Sequence, residues 1–276
     1  MRAERFWQQA LSVSEQALTE GALVPLGTRE RHWPELEPFR LRELCSPVPR
    51  HLQGAVPRSN PFLPWDQPLE VGRLDSGHVL LLNKYPVQPA HLLVITDHWQ
   101  PQDGWLDRND WRAIGQVSAD TGGLWFFNSC AEAGASQQHR HLQLLPRHRG
   151  QLSCPLAPLL NEQLRDGKRC WPWAYRLSRR LDPAGATDLE ALYAAHSHSL
   201  GLGRVGEGMP RHPYNLVFDD DWFLTVRRQR EHQAGFSINA LGFAGCLLST
   251  GRSDLDWLRS HGPWTLLSSV AAPEQG

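Results

Sequence analysis

The sequence predicts an α+β fold: a mainly antiparallel sheet with packed helices, forming a single compact unit, residues 1–276, with an extended C-terminal half. Two observations lead there. Between residues 79 and 145 the apolar pattern reads strand, strand, helix, strand, loop, strand, an order that indicates a largely antiparallel sheet. No clear linker, internal repeat or low-complexity tract separates the two halves, and one larger domain accommodates 276 residues.

Residues 1–20 have helical periodicity through Phe6, Trp7, Ala10, Leu11, Ala17 and Leu18, with Gly21 as the stop. Six prolines between residues 46 and 68 predict a loop with little regular structure. Residues 79–84 and 91–96 read as strands around a Tyr85–Pro89 turn, and their continuous apolar character implies burial on both faces. Leu106, Trp111, Ile114 and Val117 mark a helix over 106–121, which Gly122 and Gly123 end. A strand follows at 124–128, then a small-residue loop at 129–138 and a strand at 139–145, closed by Pro146. In the second half, residues 155–168 and 187–200 are helix candidates. Residues 215–218 and 222–226 read as a hairpin across Asp219–Asp221, and residues 255–261 as a short helix.

Composition removes several function classes. Lys+Arg number 28 against 29 for Asp+Glu, so a large nucleic-acid surface is not expected, while a small anionic ligand remains compatible. No run of 18 apolar residues offers a membrane span, and the charged start, Met1-Arg-Ala-Glu-Arg, is unlike a signal peptide; the expected compartment is the cytoplasm. The five cysteines, at 45, 130, 154, 170 and 246, form no C-x-x-C pair, which argues against a disulfide framework or a structural zinc site. The chain has only two lysines, Lys84 and Lys168, which makes the place of each worth reading.

The informative segment is Gly134-Ala-Ser-Gln-Gln-His139-Arg-His141-Leu-Gln143. On a strand, His139, His141 and Gln143 share one face, while Leu142 and Leu144 point to the core. The preceding small residues can turn backbone amides towards an anion. Two imidazoles and a carboxamide beside such a loop make a phosphoryl site. Two other readings compete: ordinary surface histidines, or two zinc ligands with His91 or Cys130 as a third. His196-x-His198 serves as a control: it falls in a helical stretch, where the two side chains diverge and share no role.

Taken with its flanking segments, this stretch resembles the diadenosine tetraphosphate phosphorylase (ATP adenylyltransferase) family, in the transferase branch of the histidine-triad superfamily. The supporting segments are Asn60-Pro-Phe62, Leu82-Asn83-Lys84, Pro89-x-His91, Asn128-Ser129, Tyr214-Asn215-Leu216 and Asn239-Ala-Leu-Gly-Phe-Ala-Gly245. The resemblance implies a histidine-triad-like core at 60–148, carrying the nucleophile, and an extension at 149–276 that completes the nucleotide site. It implies phosphorolysis of diadenosine tetraphosphate to ATP and ADP by double displacement, with His141 as nucleophile and His139 orienting the site and donating towards phosphate oxygens. Gln143 would hold the phosphate oxygens of the adenylylated intermediate without activating water, as the third histidine of the superfamily's hydrolases can.

By position, the resemblance also makes Asn83, Lys84, Asn128, Asn239, Ala240 and Leu241 substrate contacts, and has Gly134, Ala135, Ser136 and Gln137 cradle the phosphates. No metal site is expected in the protein; a divalent cation, magnesium by preference, would travel on the substrate phosphates. The expected partners are small-molecule substrates only, with neither nucleic acid nor membrane. The chain departs from the family in the loop before Asn60, where only Arg50 or Arg58 could replace a lysine, and at Cys246 and Thr250. Two alternatives stand beside this reading: a hexose-1-phosphate nucleotidylyltransferase, which shares H-x-H-x-Q, and a nucleotide-binding sensor without catalysis.

Overall fold

The computed structural model describes residues 2–47, 60–148, 150–182 and 187–274. Arg50 and Arg58 lie outside the described residues.

The centre is an eight-stranded sheet, antiparallel at every pairing. In chain order the strands preceding it are β1 (Thr28–Arg31) and β2 (Arg40–Leu44). Those of the sheet itself are β3 (Glu70–Leu74), β4 (His78–Leu82), β5 (Leu92–Thr96), β6 (Gly123–Asn128), β7 (His141–Pro146), β8 (Tyr175–Arg179), β9 (Tyr214–Phe218) and β10 (Trp222–Arg227). They lie in the order β3-β4-β5-β7-β6-β9-β10-β8. The sheet therefore runs from the first half of the chain into the second through the β6–β9 pair, where Phe126 faces Val217 and Phe127 faces Leu216.

Both faces are covered, as the apolar strands require. On one face Leu142, Leu144, Leu92, Val94, Trp125, Phe127 and Phe218 meet three helices: α1 (Arg5–Thr19), α2 (Arg108–Asp120) and α4 (Thr187–Ser199). On the other, Leu124, Phe126, Leu145, Val217 and Leu224 meet α3 (Ala157–Asp166), α5 (Leu255–Val270) and the turn at Ala240–Ala244. Over β4 and β5 that second face is closed by Phe62, which packs with Val79, Leu81, Leu93 and Ile95.

The expected α+β class, the antiparallel sheet and the packed helices are all present. Four elements in the larger and smaller sheets were not legible, for a shared reason. β1 and β2 join β11 (Cys246–Ser249) in a three-stranded sheet, and β3 and β8 are the outermost strands of the large one. Arg31 pairs with Glu43 and Arg40 with Glu30 across β1 and β2. Strands that expose one face and alternate charge carry little apolar periodicity. The last helix runs well beyond residue 261, because Gly262 (φ 78°, ψ 162°) and Pro263 join a second helical segment to the first.

Candidate active site

β7 presents the predicted face. Leu142 and Leu144 are fully buried in the core beneath α2, while His141 and Gln143 project to the opposite side, continuing from His139, which bridges to Pro101 just before the strand.

His141 is fixed in one tautomer. Its Nδ1–H donates to the His139 carbonyl at 2.8 Å, which leaves the Nε2 lone pair unprotonated. Burial pushes the ring pKa down to about 4, so the imidazole is neutral at physiological pH. Its backbone is held by Gln102, a residue the sequence reading did not single out. The Gln102 Oε1 accepts from the His141 N–H at 2.8 Å. The Gln102 Nε2 donates to the Asn128 carbonyl at 2.7 Å and to the His141 carbonyl at 3.3 Å.

His139, buried to 1% exposure, has both ring nitrogens engaged by the protein. Asn60 Nδ2 donates to its Nδ1 at 2.9 Å, and its Nε2–H donates to the Thr96 carbonyl at 2.8 Å. Burial lowers its pKa as well. The expected orienting role thus has a visible basis in the His139 carbonyl under His141. The expected donation to phosphate does not: neither ring nitrogen is free to make it. Phe62 explains the Asn60-Pro-Phe62 segment, since its ring lies 5.6 Å from His139 and 5.5 Å from His141, centroid to centroid.

Gln143 is oriented by a short relay. Asn83 Nδ2 donates to His91 Nδ1 at 3.0 Å, and His91 Nε2–H donates to Gln143 Oε1 at 3.0 Å. Burial keeps His91 neutral, with its pKa pushed to about 4. With its oxygen committed, Gln143 is left with its amino group as the end that can donate. His91 therefore acts here as an orienting group, with both ring nitrogens occupied. Among the described residues no group of three His, Cys, Asp or Glu side chains is placed to hold a metal ion. Asn83, expected to touch the nucleotide, also stands behind His91. Lys84, expected beside it, forms an exposed ion pair with Asp66 at 2.6 Å.

The second half of the chain closes on Asn128. Its Oδ1 accepts from Asn215 Nδ2 at 2.8 Å and from the Ala240 N–H at 2.9 Å. Asn215 also donates to the Ala133 carbonyl at 2.8 Å and accepts from the buried Arg228. Arg228 donates in addition to the carbonyls of Ile238 at 2.9 Å and Arg230 at 2.8 Å. Gly134, with φ 88°, completes the join: a Cβ there would lie 2.7 Å from the Asn239 Cβ. Asn239 spends its own oxygen on the Leu241 N–H at 3.0 Å. The loop expected to cradle phosphates is only partly available, because the amides of Gly134 and Ala135 donate within it, to the carbonyls of Ala131 and Cys130. Ser136 and Gln137 lie at the loop's outer end.

His196 and His198 behave as the helical spacing requires. His196 is buried against Ser178 and Thr225, and His198 is exposed. A cavity of about 580 Å³ lined by Trp171, Trp173 and Trp264 shares no residue with the site.

Residues 1–162 match the family model of the Ap4A phosphorylase N-terminal domain, and residues 169–273 that of the ATP adenylyltransferase C-terminal domain. The chain belongs to the Ap4A (diadenosine tetraphosphate) phosphorylase family. It is 24% identical to Protein APA1 of Saccharomyces cerevisiae over 244 residues, 77% of this chain and 75% of that one. It is 33% identical to diadenosine 5',5'''-P1,P4-tetraphosphate phosphorylase 2 of the same yeast over 82 residues, 26% of this chain and 25% of that one. Its fold is similar to the crystal structure of yeast Ap4A phosphorylase Apa2, with a TM-score of 0.76 at 19% identity over the whole of both chains. The same enzyme in complex with Ap4A gives 0.74 at 20% identity, again over both whole chains. The family and enzyme class read from the sequence are thereby borne out, and the sensor and hexose-1-phosphate alternatives give way to a phosphorylase. No helix among the described residues is long and apolar enough to cross a membrane.

Proposed function

We propose that this phosphorylase cleaves Ap4A with inorganic phosphate to ATP and ADP, through an adenylyl group carried on His141. The observation that supports it most is the 2.8 Å bond from His141 Nδ1–H to the His139 carbonyl, which leaves Nε2 as the unprotonated, nucleophilic nitrogen of the ring. In the first step the Nε2 lone pair attacks an α-phosphorus. The bond from that phosphorus to the bridging oxygen breaks, and ATP departs with the electron pair. The His139 carbonyl stabilises the positive charge that the imidazole acquires. In the second step an oxygen of inorganic phosphate attacks the same phosphorus, the N–P bond breaks, and ADP leaves with His141 neutral again.

The Gln143 amino group, left over once its oxygen is held by the His91 relay, donates in this reading to the non-bridging oxygens of the adenylyl group. It remains neutral at every relevant pH, so it gives water no base. The Asn128 amino group, left over once its oxygen is committed to Asn215 and Ala240, is a second donor to the nucleotide. A divalent cation, when present on the polyphosphate, neutralises part of its charge. The described residues hold no cluster of His, Cys, Asp or Glu side chains for one, and no step is assigned to it.

Incubation with Ap4A tests the reading. ATP and ADP should form in equal amounts, and continued turnover should require phosphate. Sustained release of ATP and AMP without phosphate would mean a hydrolase and overturn it.

A further inference from the structure

The face of β7 that carries the histidines has two ends. β7 runs antiparallel to β5, with Leu93 facing Gln143 and Ile95 facing His141. Gln143 therefore lies towards His91, Asn83 and Lys84, and His139 lies towards the segment that leaves Thr96. The proposed substrate carries a nucleoside at each end of its phosphate chain. A chain of phosphates laid along this face sends one nucleoside towards Asn83 and the other past His139.

At the His139 end stands Trp99. The sequence contains 12 tryptophans, all of them described, and Trp99 is the exposed one, at 52%. Its ring is perpendicular to that of His139 (88°), with centroids 5.6 Å apart. The backbone beside it is anchored to the catalytic strand: the Gln100 carbonyl accepts from the Arg140 N–H at 2.9 Å, and Pro101 bridges to His139. The indole is thus held against the site by an ordered backbone, yet half of its surface packs on nothing. Burying an indole is strongly favourable, so a fixed and exposed one at a substrate cleft has the character of a binding platform.

We propose that Trp99 is the stacking platform for the second nucleoside of the substrate, the one that departs in ATP. The inference rests on the reaction proposed above. Stacking reads the face of a base and not its edge, so the platform accepts any nucleobase and holds purines best.

The test compares Ap4A with adenosine 5'-tetraphosphate, which has the same number of phosphates and no second nucleoside. Both should yield ADP in the presence of phosphate. For the wild-type protein, kcat/KM for Ap4A should exceed that for the tetraphosphate by about tenfold, the usual scale of one stacked base. Trp99→Ala should bring the two close together through a higher KM for Ap4A, and Trp99→Phe should retain most of the difference. A wild-type ratio near one would overturn the proposal. So would an Ala variant that loses activity equally on both substrates, since Trp99 would then act only by packing on His139. If the wild-type protein makes ADP from neither substrate, the reaction itself is wrongly assigned and the subsite falls with it.

Discussion

Gln102→Met removes the clamp on the nucleophile's backbone while keeping side-chain length and an apolar body. Three hydrogen bonds disappear: one from the His141 N–H at 2.8 Å, one to the Asn128 carbonyl at 2.7 Å and one to the His141 carbonyl at 3.3 Å. Gln102, His141 and Asn128 are all buried, so water does not readily replace the lost partners. An orphaned buried donor or acceptor costs roughly 1–3 kcal/mol, and with two principal groups orphaned the loss should be about 2–6 kcal/mol. For a chain of this size that corresponds to a fall in Tm of roughly 5–15 °C. Catalysis should suffer beyond stability, because an error of about 1 Å in a reacting group can cost about a hundredfold. Thermal unfolding followed by circular dichroism, with the ATP burst from Ap4A measured well below the variant's Tm, reads both effects. A Tm within 2 °C of wild type, with an unchanged burst rate, would refute the view that Gln102 positions His141.

Two further outcomes follow from the same geometry. Gln143→His places a second imidazole within reach of His91 Nε2–H, whose bond then leaves a ring N–H facing the adenylyl group; phosphorolysis should slow and the share of AMP should rise, read as the ADP to AMP ratio at fixed phosphate. Burial lowers the pKa of His141, His91 and His196 from 6.5 to about 4, so the ATP burst should stay level as pH falls from 8 to about 5. Between pH 6.5 and 4 the unfolded rings take up protons that the folded ones refuse, so stability is lost as pH falls through that window, by up to roughly 3 kcal/mol per ring. Unfolding midpoints in urea at pH 7 and pH 5 measure it, and equal midpoints would contradict the neutral assignment.

The central strand and its alternation were legible because the physics is local. Leu142 and Leu144 seek the core, and His141 and Gln143 must then share the other face. The two halves of the chain were harder to join. Asn215 and Ala240 meet Asn128 from far along the sequence, and Arg228 sits among 26 arginines with nothing local to mark it as one of the few that are buried. Gln102 was invisible for a similar reason: its partners are backbone groups, which leave no trace in side-chain patterns. Asn83 and His91 could be read as part of a motif, but only the structure places them in series behind Gln143. Asn60 and Phe62 show the reverse case, a motif whose physical meaning, orienting and covering the histidines, emerges once the fold brings it to β7.

The most direct measurement looks for AMP on His141 itself. The protein is incubated with Ap4A in the absence of phosphate, quenched, digested and analysed by mass spectrometry under conditions that preserve N–P bonds. An AMP adduct should appear on the peptide that contains His139–Gln143, fragmentation should place it on His141, addition of phosphate should discharge it as ADP, and His141→Ala should lack it. An adduct that persists in folded His141→Ala, or ATP and ADP formed by the wild-type protein with no adduct at any time, would contradict the covalent route through His141.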